Sequence, residues 1–273
     1  MSDEIQSSGS PENRKGKIHA RVLSAGGGGP PVVILHGLLG SSRNWLTAGA
    51  ALGGDRPVYA VDLPDHGGSA WSDEPSFAGM AGRVAAWAEG EGLAGADWIG
   101  HSLGGKVALR IASDRPGFVR RLVLVDIFPK VYTPHHAGDL EAMAALGPDD
   151  LADRRTADLA LAGEVPDWAL RQFILTNLVR SPDGGFRWQV NLEGLRRNLP
   201  GLAGLPYEGR PPVRTPALLV YGGRSGFVRR EDLDRLDSWF ADARAECIPE
   251  SGHNPHIEAR EEFVRTVRGF LGS

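Results

Sequence analysis

One cysteine, Cys247, stands in a chain of 273 residues. No intrachain disulfide and no cysteine-built zinc site can form from it, and a reducing compartment, the cytoplasm, is the expected location. Charge of either sign is not in surplus: 30 Lys and Arg against 34 Asp and Glu leave a net charge of −4. The arginines are scattered, with no basic run, which argues against nucleic acid as a partner. No stretch approaches the roughly 20 apolar residues that span a bilayer. The opening "MSDEIQSSGSPENRKGK" lacks the apolar core of a secretion signal, and residues 1–16 read as a disordered lead-in.

What is present is enough for a large core. Hydrophobic residues make up 41%, with seven Trp and nine Phe. The apolar runs "VVILHG" (32–37), "PVYAVDLP" (57–64), "ADWIG" (96–100), "RLVLVDI" (121–127) and "ALLVYGG" (217–223) read as strands covered on both faces. "KIHARVLS" (17–24) alternates as an outer strand does, and "RAECIPE" (244–250) closes the series. Helical spacing is expected over 76–93, 104–114, near 229–240 and over 258–271. Strand and helix alternate, so the fold class is α/β, a mostly parallel sheet flanked by helices. The alternation fails between about 130 and 210. There Leu140, Met143 and Leu146, then Leu151 to Leu161, then Trp168 to Leu178 read as helices, with a short strand at "FRWQV". The expected organisation is a core of residues 17–130 and 211–273 with an inserted α-helical cap over 131–210.

The chemistry-bearing stretch is "WIGHSLGGK" (98–106). Gly-x-Ser-x-Gly is a weak pattern alone, but here a strand precedes it and a helix follows, as a nucleophile elbow requires. Its glycines leave room for a sharp turn that lifts Ser102 to a helix N-terminus, where negative charge is favoured. "HGLLGSSRNW" (36–45) ends the first buried strand, so it should face Ser102. The backbone N–H groups of Leu38 and Leu103 are the candidate oxyanion donors. His36 reads as a residue that holds its loop. A serine needs an adjacent base, and His253 in "SGHNPHIE" (251–258) follows a strand end and a glycine. His256 is its rival, three residues on in a helix lead-in.

In that order, "HGLLGS", "VDLPDHGGS", "GHSLGG" and "GH" resemble the α/β-hydrolase fold family, over about residues 17–271. "GHSLGGK", "VDIFP", "FILTNL" and "FRWQVNLEGL" are similar to the YbfF-type esterases. One departure is Asp65, which stands where the family's "PGHG" turn has a glycine. Another concerns the acid: in most of the family it follows the strand after the cap, and here Ser225 in "YGGRSGFV" holds that place. Asp126, ending the buried run "LVLVD", is the expected replacement, since a charge closing a buried strand needs a partner. The YbfF-type sequences carry the same aspartate. Glu193 in "NLEGL" is the alternative, because some relatives place an acid there.

The resemblance implies acyl transfer through Ser102, His253 and Asp126, on esters of small to medium apolar acyl groups, with no cofactor and no metal. Phe128, Tyr132, Phe173, Leu178 and Trp188 are the candidate pocket walls. Thioesters, lactones and cofactor-free haloperoxidase chemistry on the same triad stay open, as does a ligand-binding receptor that turns nothing over.

Overall fold

The computed structural model describes residues 16–147, 151–182 and 184–272. The expected disordered lead-in lies outside the described residues up to position 15. The apolar runs form one seven-stranded sheet: β1 (Ala20–Ala25), β2 (Val32–Leu35), β3 (Pro57–Val61), β4 (Ala96–His101), β5 (Val119–Val125), and later β8 (Ala217–Gly222) and β9 (Ala243–Ile248). Their spatial order is β1-β3-β2-β4-β5-β8-β9. All neighbours are parallel except β1, which runs antiparallel to β3.

Side chains alternate across this sheet with the two-residue period of a strand. Val32 and Ile34 of β2, with Val123 and Val125 of β5, face α1 (Leu46–Gly53) and α10 (Arg260–Leu271). Val33, Leu35, Leu122 and Leu124 face the opposite way, toward α2 (Phe77–Gly90) and α3 (Leu103–Asp114). With both faces covered, no polar side chain is needed on either, which is why these strands read as unbroken apolar runs.

The chain leaves β2 for β3 on one side, then crosses to β4 on the other. Connections on either side of a strand pair diverge at such a point and open a crevice beyond the carboxyl ends. The loops after β2 and β4 border that crevice.

Between β5 and β8 the chain inserts α4 (Ala137–Ala145), α5 (Arg154–Leu161), α6 (Trp168–Leu175), the antiparallel pair β6 (Leu178–Arg180) and β7 (Phe186–Trp188), and α7 (Leu192–Ala203). Asp153, Asp167 and Asn191 start three of these helices, each side chain accepting from the N–H three residues on. The helix expected near 229–240 is shorter. It is α8 (Arg230–Leu233), then one 3-10 turn, Leu236–Ser238. The expected last helix is broken at Ala259 into α9 (Pro255–Glu258) and α10. Among the described residues no helix is long and apolar enough to cross a membrane.

Asp65 ties this insertion to the sheet. It is fully buried, with φ 71°, the left-handed region that a glycine occupies without strain. Its carboxylate accepts from Ser72 N–H (2.6 Å), Ser72 Oγ–H (2.7 Å) and Asn191 Nδ2–H (2.8 Å). Asn191 N–H also donates to the Asp65 carbonyl, at 2.9 Å. Asp65→Gly relieves the backbone but leaves those donors without their acceptor. Strain relief is worth about 1 kcal/mol, and each buried donor left unmatched costs about 1–3 kcal/mol. A net loss of about 2 kcal/mol, read as a lower Tm in thermal denaturation, is the expected result.

Candidate active site

The turn from β4 into α3 presents Ser102 at φ 50° and ψ −118°. Its N–H donates to the Val125 carbonyl at 3.1 Å, which carries the sheet pairing one residue past the strand. Only glycine fits on either side. A Cβ at Gly104 would lie 2.5 Å from the His36 carbonyl oxygen, and one at Gly100 would lie 2.4 Å from that of Gly104. The strain at Ser102 is thus held by close backbone packing around it. The Ser102 hydroxyl makes no capping bond to α3. Among the described residues the amides of Leu38 and Leu103 have no hydrogen-bond acceptor within the protein.

His36 is the staple that its position suggests. Its Nε2 accepts from Leu63 N–H (2.9 Å), so its Nδ1–H donates to the Gly37 carbonyl (2.7 Å). Burial pushes its pKa down to about 4, helped by the neighbouring His66, so the ring stays neutral. Leu39 in the same loop sits at φ 59°.

Asp126 directly follows β5, at φ 48° and wholly buried. Three donors converge on its carboxylate. Gly222 N–H reaches Oδ1 at 3.0 Å, while the Ser225 hydroxyl and His253 Nδ1–H, the latter at 2.7 Å, both reach Oδ2. Ser225, in the place where the family pattern has its acid, therefore bonds the carboxylate of Asp126, the expected replacement. Glu193 is elsewhere: it opens α7 on the surface, its side chain 72% exposed and paired with Arg196.

His253 is held from three directions. Besides the Asp126 bond, its backbone carbonyl accepts from His101 Nε2–H at 2.8 Å. The Phe227 ring stacks on its imidazole, with centroids 3.7 Å apart and 19° between planes. Neither His101 nor Phe227 carries a sequence signal for this role beyond its place next to Ser102 or just past Ser225. Ser102 and His253 line one cavity, without a direct hydrogen bond between Oγ and Nε2. His256, the rival base, is buried and stacked on Trp45, with centroids 4.1 Å apart. Burial, then the nearby His253, push its pKa down to about 3.

A histidine whose pKa falls on folding makes the native state bind fewer protons than the unfolded chain, here between pH 6.5 and about 3. Stability therefore falls as pH drops through that window. His256 Nδ1 is also buried without a hydrogen-bond partner. His256→Phe keeps a ring on Trp45 and removes both burdens. Scanning fluorimetry from pH 7 to 4 should show a shallower loss of Tm than in the parent protein. An unchanged slope would mean that His256 does not bear the protonation cost.

Two cavities meet at Ser102, sharing Leu38, Ser102 and His136 as walls. The smaller, about 60 Å³, is lined by Tyr132, Phe227, Leu199, Leu202 and Lys106. The larger, about 530 Å³, runs past His253 to Trp45, Leu170, Phe173 and Ile257. Of the expected pocket walls, Tyr132 and Phe173 therefore face a cavity. Phe128 and Leu178 do not: both are fully buried in the core. Trp188 is also enclosed, its Nε1–H donating to the Met143 carbonyl at 3.0 Å. All three belong to the buried apolar cluster on this side of the sheet, so their apolar area is used in packing.

Lys106, four residues past Ser102, is buried, and its Nζ donates to the carbonyls of Lys130 (2.8 Å), Ala203 (3.2 Å) and Gly204 (2.5 Å). It fastens the end of α7 to the elbow helix. Among the described residues no group of three or more His, Cys, Asp or Glu is arranged to hold a metal ion.

The model of the alpha/beta hydrolase family matches residues 32–266. The chain is 34% identical to the sn-1-specific diacylglycerol lipase ABHD11 of Mus musculus over 250 residues, 89% of this chain and 81% of the relative. It is 31% identical to the esterase YbfF of Escherichia coli K12 over 245 residues, 88% of this chain and 92% of the relative. A marine microorganism esterase of known structure superposes with a TM-score of 0.89 at 29% identity, covering 93% of this chain and 99% of that one.

Proposed function

The chain belongs to the alpha/beta hydrolase family, as a carboxylic ester hydrolase of the esterase and lipase type, and from that premise we propose that it is a serine esterase working through Ser102, His253 and Asp126. The observation that carries this reading is the 2.7 Å bond from His253 Nδ1–H to a buried carboxylate, in the cavity that Ser102 also lines. That bond fixes the tautomer: with the proton on Nδ1, Nε2 is left to accept one.

In the first half-reaction Ser102 Oγ attacks the ester carbonyl carbon and its proton passes to His253 Nε2. Bonds of this kind shorten once substrate is seated. The oxyanion is received by the amides of Leu38 and Leu103, which have no other acceptor to give up. The carbon–oxygen bond to the alcohol then breaks and His253 returns the proton to the leaving oxygen. In the second half-reaction His253 takes a proton from water, the hydroxide attacks the acyl carbon, and Ser102 leaves reprotonated with release of the acid.

The substrate is a small-molecule ester, and the smaller cavity beside Ser102, about 60 Å³, favours acyl groups of small to medium length over long chains. Labelling the intact protein with a fluorophosphonate tests the reading. One added phosphonyl group on Ser102 with parallel loss of p-nitrophenyl acetate hydrolysis is expected. A folded protein that is neither labelled at Ser102 nor hydrolytic would favour a ligand-binding role instead.

A further inference from the structure

We propose that the two cavities divide the ester unequally: a short acyl group in the smaller one, and a bulky alcohol without negative charge in the larger. This rests on the serine esterase reading, and on which wall each cavity owns.

The leaving oxygen must come within hydrogen-bond reach of the imidazole that protonates it. His253 and Asn254 line the larger cavity and are absent from the described lining of the smaller. With the carbonyl carbon at Ser102, on the wall common to both, the alcohol extends past His253 and the acyl tail takes the other direction. Size then follows. At roughly 15 Å³ for each water-sized group, the smaller cavity of about 60 Å³ takes about four heavy-atom groups, an acetyl to a butyryl. The larger, about 530 Å³, is of the size that encloses whole organic ligands.

Charge follows as well. Asp167 and Glu258 line the larger cavity, and no Lys or Arg is among its described walls. Of the five histidines on its walls, His36, His101 and His256 are held neutral by burial, while His136 Nδ1 lies 2.8 Å from Asp139 and His253 Nδ1 2.7 Å from Asp126, each beside a carboxylate of its own. A phosphate-bearing leaving group would meet two exposed carboxylates and no Lys or Arg among the described walls, and such like-charge juxtaposition disfavours it. Trp45, Leu170, Phe173 and Ile257 offer apolar surface instead, with Asn44 and Asn254 as polar points. The fitting alcohol is thus aryl or multi-ring, or a polyol carrying an apolar substituent.

Two substrate series on the full-length protein test this, read as kcat/KM, which reports the acylation step. Across p-nitrophenyl esters from acetate to dodecanoate, the value should fall by about 10-fold or more between butyrate and octanoate. Across acetates of ethanol, 2-phenylethanol and 2-(2-naphthyl)ethanol, alcohols of similar acidity, it should rise or hold with alcohol size. Acetyl-coenzyme A should be turned over at least about 10-fold less efficiently than S-ethyl thioacetate, a neutral thioester with a similar alkyl thiol as leaving group. Leu202→Ala, or Leu199→Ala if the first does not fold, should move the acyl cut-off to longer chains and leave the alcohol ranking as it was. A preference for octanoate or longer, or for acetyl-coenzyme A, would overturn the division while leaving the esterase reading intact. Absence of any turnover together with an unlabelled Ser102 would overturn both.

Discussion

Ser102→Ala is expected to lower kcat for p-nitrophenyl acetate by about 10⁵-fold or more, the scale seen when a serine nucleophile is removed from a working triad. The oxyanion amides and the cavities remain, so some acceleration over water should survive. The fold should be untouched. Alanine keeps the Cβ that serine already places at φ 50°, so no new strain arises. The lost hydroxyl makes no capping bond to α3, so no buried partner is orphaned. Ser102→Gly separates chemistry from strain. It should be equally inactive and yet melt higher, since glycine occupies the left-handed region freely and release of a strained non-glycine conformation is worth about 1–3 kcal/mol. Thermal melts beside activity assays on the two variants check both halves. More than 1 in about 10³ of the parent activity in either variant would show that another group attacks the ester.

That strain was legible before any coordinates, because Gly100, Gly104 and Gly105 around a serine state that side chains do not fit there. The buried strands were legible for a similar reason. Val32–Leu35 contains no polar residue, and only a strand covered on both faces tolerates that. Asp126 was legible as a charge closing such a strand. Legibility ended where the answer depends on what packs opposite. Phe128, Leu178 and Trp188 sit in the same sequence contexts as Tyr132 and Phe173, yet three fill the core and two face a cavity. Periodicity reports that a side chain is apolar, and both surroundings accept it. The helix expected near 229–240 failed for a long-range reason. Val213, in the Pro-rich connector, exchanges backbone bonds with Trp239 and Ala241, both at 2.9 Å, which sets Phe240 in a bridge and bars a helix from running through it. Phe227 over His253 was hidden likewise, since ring stacking has no period along the chain.

Asp126→Asn should cost about 10⁴-fold in kcat, with about 10²-fold as the least loss compatible with the proposed mechanism. The carboxylate faces three donors: Gly222 N–H on Oδ1, and the Ser225 hydroxyl and His253 Nδ1–H on Oδ2. An amide brings one acceptor and one donor. With its oxygen toward His253, its NH₂ faces the Gly222 N–H, and two donors oppose each other in a buried site. Turned the other way, the NH₂ accepts nothing from Nδ1, so the imidazole proton moves to Nε2, the atom that must take the serine proton. The polar volume is unchanged, so melting should shift far less than activity. Glu193→Gln should stay near the parent, because that side chain is exposed and paired with Arg196. Moving the charge is the sharper experiment. Ser225 already reaches the same oxygen as His253, so Asp126→Ser combined with Ser225→Asp sets a carboxylate beside the ring from the neighbouring strand end. It should recover about 10-fold or more of what Asp126→Ser alone loses, since a restored carboxylate restores the tautomer. A near-parent Asp126→Asn beside an inactive Glu193→Gln would transfer the acid's role to α7.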